Sequence, residues 1–184
     1  MPVMREASPN PGSGAPAPGD RPAGGGSSSP SSSPPSSSWW WQERWESIRR
    51  GETPIALSWE GGQATGVLFD VGAPRTAAAV FAALPLQVPV VHVAWSGEMV
   101  MSARTYELGV ERENAVRLPR PGDLTWDPAA GELAFAYGTA ECRLPSGENN
   151  VVVYGAIVEG LDAFAEFCRR RRFEGVGQLR IESA

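Results

Sequence analysis

The residue types most able to do chemistry converge on one stretch, VVHVAWSGEMV at residues 90–100. If it stays extended, side chains alternate between two faces. His92, Ala94, Ser96 and Glu98 then share one face, and Val91, Val93 and Trp95 the other. An imidazole and a carboxylate within reach of each other form an oriented acid or base near neutral pH, so His92 and Glu98 are the candidate catalytic pair. Trp95 would supply an apolar or stacking wall. Ser96-Gly97 is also a turn signal, and a reversal there would break the alternation. Each residue has a plainer reading. A histidine between valines is often a core residue satisfied by a backbone carbonyl, Glu98 beside a turn can be a solvated carboxylate, and Trp95 can be core.

A second set of candidates lies downstream, on the substrate-binding side. Tyr137 in AYG, Arg143 in ECRLP, and Asn149 and Asn150 in SGENN could point polar groups into a pocket. Arg143 would anchor a carboxylate and the asparagines would meet amide or carbonyl groups. Asn149 and Asn150 follow Gly147 and equally fit a turn. Cys142 has no neighbour in sequence that would lower its pKa, so a nucleophilic role is not expected. Asp123, in PGD, reads as a turn former. Residues 169–172 are four successive arginines that would end a helix, where they complement its dipole. Anion binding and protein contacts are the alternatives.

These residues must be held by short strands. Ile55, Leu57 and Trp59 alternate with small residues, Gly61-Gly62 makes a turn, and residues 67–69 return, giving a hairpin. TAAAVFAAL at 76–84 has alanines and Val80/Leu84 at i,i+4, stopped by Pro85, which predicts a helix. Further β-rich runs occupy residues 88–95, 98–108, 115–118, 124–126, 132–137 and 151–158, separated by turn residues. Leu161, Phe164, Ala165 and Cys168 mark a second amphipathic helix stopping near Gly175, and residues 178–181 form a last strand. Strands this numerous and closely spaced predict a mainly β fold closed into a barrel with two short α-helices.

Upstream, residues 1–38 form a Gly/Pro/Ser-rich tail ending in SSSPSSSPPSSS, which lacks the apolar residues to offset its ordering entropy and is expected to be disordered. WWWQERWESIRR at 39–50 is a Trp-rich arm. As a helix it would align Trp41, Trp45 and Ile48 on one face. It reads as a cover for the barrel, as a partner or homo-oligomer contact, or as a membrane-surface element. The role of Trp39, Trp40, Trp41 and Trp45 stays open among these. Residues 51–184 are the barrel domain.

Composition narrows the function classes. Of 184 residues, the formal net charge is -5. The first 38 residues carry two Arg, one Glu and one Asp, so the acidic excess belongs to the folded part. Nucleic acid is therefore not an expected partner, since it needs a basic face. Two cysteines far apart and a single histidine argue against a disulfide framework or a metal centre, and no cofactor is expected. No run approaches a bilayer span and no signal-peptide core is visible. The expected partner is therefore a small molecule rather than a membrane, and the expected address cytoplasmic.

LFDVGAPRTAAAVFAAL, at 68–84, resembles the acidic, Pro-x-Thr, Phe-x-x-Leu strand-to-helix passage of cyclophilins, with Asp70, Pro74, Thr76, Phe81 and Leu84 in matching places. ALPLQVPVVHVAWSGEMV, RLPRPGDLTWDP, ELAFAYGTAECRLPSGENNVVVYGAIVEGLDAF and EGVGQLRIE, in that order, are similar to a bacterial family of cyclophilin-like proteins of unknown function. The resemblance covers residues 55–182 and implies a closed β-barrel with a helix near each end. It does not carry prolyl isomerisation across. The catalytic arginine of cyclophilins is absent, His92 stands in its neighbourhood, and the glutamine motif is missing.

Two function classes follow. One is a cofactor-free enzyme of isomerase, cyclase or lyase type, moving protons on a small polar or carbonyl metabolite through His92 and Glu98. The other is a non-catalytic small-molecule or protein-binding barrel. They differ in whether His92 and Glu98 share a concave pocket with Trp95.

Overall fold

The computed structural model describes residues 46–184. The tail at 1–38 and the tryptophans of the arm lie outside the described residues. The hairpin expected at the start forms as β1 (Thr53–Trp59) and β2 (Gly62–Leu68), turning through Gly61. Helix α1 (Pro74–Ala83) starts two residues earlier than expected because Pro74 serves as a first-turn residue. Its free N–H groups are met from a distance: Glu113 Oε1 accepts from the Thr76 amide at 2.6 Å and from Oγ1 at 2.8 Å.

The chain continues through β3 (Leu86–His92), β4 (Gly97–Ser102), β5 (Ala115–Val116), β6 (Asp123–Asp127), β7 (Glu132–Ala140), β8 (Arg143–Leu144), β9 (Gly147–Glu148) and β10 (Val151–Glu159). Helix α2 (Leu161–Glu174) and β11 (Gly177–Ser183) complete it. Antiparallel pairing runs β2-β1-β11-β3-β4-β7-β6-β10, and β10 pairs back onto β2, so eight strands close into a ring. Closure leaves the ring without a free edge. Strand β5 pairs with Val151 and Val152, while β8 and β9 form a separate small hairpin.

Three expected strands stop short of their sequence patterns: those at 88–95, 98–108 and 115–118 end at His92, Ser102 and Val116. The run at 98–108 leaves the sheet after Ser102, where the Ala103 amide bonds to Pro89 O and Arg104 Nη2 to Gln87 O. Tyr106 and Leu108 still pack on the core from a loop, so their apolar character reflects burial rather than strand pairing.

Alternate residues fill the barrel: Val88 and Val90 from β3, Val100 from β4, Leu133 and Phe135 from β7, and Val152 and Tyr154 from β10. Helix α2 contributes Phe164, Ala165, Phe167 and Cys168, and Phe164 meets Trp59 edge-on at 5.5 Å. Its entry is set by Gly160 at φ 81°, where a Cβ would come 2.9 Å from Gln63 O. The Arg49 guanidinium grips Asp123 with Nη2–Oδ2 at 2.6 Å and Nε–Oδ1 at 3.3 Å, both side chains under a tenth exposed. Ile48 packs with Phe69, Val116 and Val153. Asp123 thus does more than the turn duty expected of it: it is the buried counter-ion of the last arm residues. Among the described residues no helix is long and apolar enough to cross a membrane.

Candidate functional site

Strand β3 ends at His92, residues 93–96 turn, and β4 starts at Gly97. His92 pairs in register with Val100 and Val100 with Phe135, all on the barrel-facing side. Glu98 and Tyr137 continue that face by one step of period two, so His92, Glu98 and Tyr137 gather at the barrel end where β3 stops. Tyr137 Oη lies 3.0 Å from His92 Nε2.

Helix α2 closes over this cluster. Arg172 Nε donates to His92 Nε2 at 2.9 Å, and Arg169 Nε lies 3.9 Å from Glu98 Oε1. A guanidinium does not give up its proton, so Nε2 is the unprotonated nitrogen of a neutral imidazole. Desolvation, then the Arg172 charge, holds the His92 pKa below its ordinary value. Desolvation raises that of Tyr137, with Arg172 opposing. Glu98 Oε2 accepts the Thr139 amide at 2.9 Å in space left by Gly138, where a Cβ would overlap the carboxylate. The arginine run, expected as a dipole-complementing terminus, therefore spends Arg172 and Arg169 on His92 and Glu98. Arg171 folds back onto Phe167, its ring 4.9 Å away.

The alternation breaks at the turn. Ser96, expected on the His92 face, instead lines the outer side together with Trp95 and Val93. There a recess of about 70 Å³ is walled by Val93, Trp95, Met99 and Met101 and by the polar groups of Asp127, Glu132, Arg143 and Asn149. Trp95 is 43% exposed. Ser96 Oγ ties the turn to the β8 segment through the amide and carbonyl of Arg143, both at 3.3 Å. Asn149 Nδ2 donates to Asp127 Oδ2 at 2.6 Å. Asn150 is exposed and its amide bonds to Asn149 Oδ1, the turn alternative for this pair.

The candidates thus divide between two places. His92, Glu98 and Tyr137 lie at the helix-covered barrel end, whereas Trp95, Arg143 and Asn149 surround the outer recess, which His92 and Glu98 do not line. Asp127 and Glu132, which the sequence analysis did not single out, also face the recess. Their pairing opposite each other across β6 and β7 was the available signal. Cys142 lines it too, but burial, and secondarily Asp127, pushes its thiol up to about 12, so it is not a nucleophile. Among the described residues no three His, Cys, Asp or Glu side chains stand close enough to hold a metal ion.

This arrangement sits wholly within the segment matched by one protein-family model, that described as "Protein of unknown function (DUF3830)", over residues 55–182. The chain belongs to the DUF3830 family. No curated protein matches it. Its barrel is similar to the structure of McbB in complex with tryptophan, with a TM-score of 0.58 and 18% identity over 70% of this chain and 44% of that one. The DUF3830 chain therefore spans less than half the length of McbB. It is also similar to the solution structure of the hypothetical protein AF2241 from Archaeoglobus fulgidus, with a TM-score of 0.49 and 20% identity over 73% of this chain and 98% of that one. At these identities the McbB likeness is one of fold.

Proposed function

We propose that this DUF3830 chain is a small-molecule-binding barrel of the cyclophilin-like type, with its ligand in the outer recess beside Trp95. The observation that carries this reading is that Trp95, Arg143 and Asn149 line one recess floored by Val93, Met99 and Met101. A half-exposed indole above thioethers offers apolar and stacking area, and a few polar groups at the edge fix orientation. Prolyl isomerisation is not part of this reading, since His92 stands near the place of the cyclophilin arginine and faces the other side of the sheet.

The test is an NMR titration that follows the Trp95 indole N–H, assigned with Trp95→Phe. The panel is small amino and oxo acids, with tryptophan included because McbB is recorded with it. Binding at the recess predicts a saturable shift that Asn149→Ala or Arg143→Ala weakens at least threefold. The reading is overturned if no compound moves the Trp95 signal.

A second reading is favoured by the 3.0 Å approach of Tyr137 Oη to His92 Nε2. In it the barrel is a cofactor-free enzyme moving protons on a small carbonyl compound, with His92 as base, Tyr137 as proton donor and Glu98 beside them. It requires Arg172 to leave Nε2. Turnover of a panel member, lost in His92→Ala and retained in Trp95→Phe, would establish it over the first.

A further inference from the structure

The recess has an electrostatic asymmetry that the binding reading does not use. Asp127 and Glu132 oppose each other across β6 and β7, and both line it. The Asp127 carboxylate is fixed in place. Its Oδ1 accepts the amides of Ala129 at 2.9 Å and Ala130 at 3.4 Å, and its Oδ2 accepts Asn149 Nδ2 at 2.6 Å. Glu132 is different: among the described residues its carboxyl has no hydrogen bond and no ion pair. It is a partly desolvated acid beside a second, buried acid, and those two causes, desolvation first, raise its pKa. The cation of the lining, Arg143, is exposed and has Nη1 3.9 Å from Glu141 Oε1, with no ion pair to Glu132.

An anion without a partner in a recess walled by an indole and two methionines is complementary to one kind of group. We infer that the recess takes the ammonium head of a small amine, with Glu132 as its counter-ion, Asp127 as a second acceptor, and Trp95 and Met99 against its apolar stem. This rests on the recess being the binding site. An ammonium carries three donors and is attracted to indole faces as well as carboxylates. The recess is small, about 70 Å³, which suits a compact head group with a short stem rather than a bulky ligand. A bare divalent cation is the poorer fit, since it seeks six or more oxygen ligands.

The experiment compares n-butylammonium with its neutral analogue 1-butanol by the Trp95 indole signal, on the full chain and on Glu132→Gln, which preserves size. The expected result is at least tenfold tighter binding of butylammonium than of butanol, a difference that Glu132→Gln abolishes. Binding to the wild type should also weaken as pH falls and Glu132 takes up its proton. Equal affinity for both probes, or an undiminished preference in Glu132→Gln, overturns the ammonium assignment and leaves the recess as a binding site. If neither probe nor any acid of the panel shifts Trp95, the recess itself is not a site and both readings fall.

Discussion

Arg172 Nε reaches His92 Nε2 at 2.9 Å across 80 residues of sequence, joining the last turn of α2 to the end of β3. The contact makes the imidazole an acceptor, and its neutral form is the one the fold prefers. The folded protein therefore binds fewer protons here than the unfolded chain. This contribution is fully present above the unfolded value of about 6.5 and is lost as pH falls through the lowered folded value. The chain has one histidine, so its ring C–H signal reports this titration without assignment. The midpoint should lie below the ordinary value and move up in Arg172→Ala. His92→Gln should flatten the fall in urea midpoint between about pH 7 and pH 5.

Glu132 has the opposite sign. Its pKa is raised on folding, so ionisation at neutral pH works against the folded state, and stability is gained as pH falls. Glu132→Gln should raise the ligand-free Tm at pH 7 and leave it nearly unchanged at pH 4. A lower Tm at pH 7 would mean the carboxylate has a partner. A stabilising substitution at a recess residue is also what a site kept for binding predicts.

The alternation of side chains was enough to put His92 and Glu98 on one side, because both belong to β-strands of fixed phase. It held for Trp95, which stands with Val93 on the outer side, and failed for Ser96, which the turn before β4 carries to that same side; the turn signal at Ser96-Gly97 was the only sign. Tyr137 could be named as polar and near the end of a strand, but its approach to His92 depends on β4 lying between β3 and β7. The roles of Arg172, Arg169 and Arg49 depend on contacts across 71 to 80 residues, to which local pattern is blind. The barrel was legible for the converse reason: hairpins, turns and helix stops are local. The run at 98–108 was misjudged because buried loop residues and strand residues share the same composition.

Asp123 and Arg49 are a buried pair held by two hydrogen bonds, and removing the carboxylate takes both from a buried guanidinium. Asp123→Asn should cost about 3–5 kcal/mol, lowering Tm by roughly 10 °C or more. Substituting Glu52, which bonds Asp70 through its backbone amide and is exposed, by Gln should shift Tm by no more than about a degree, the scale for an exposed site. Equal effects of the two would refute the structural weight given to the pair.

Gly138 leaves the space into which the Glu98 carboxylate folds. Gly138→Ala should push that carboxylate off the Thr139 amide at a cost of about 1 kcal/mol. In an amide NMR spectrum the Thr139 signal should move while those of β6, on the far side of β7, stay in place. An unmoved Thr139 amide would show that Glu98 does not depend on this gap.

The pairing of β2 with β10 completes the ring, and the two segments beside Trp95, the turn at 93–96 and the β8–β9 hairpin, lie outside the eight ring strands. Frame and fitting are thus separable parts. On the proposed binding role, exchanging those two segments between family members should change ligand preference while the same eight strands continue to specify the fold.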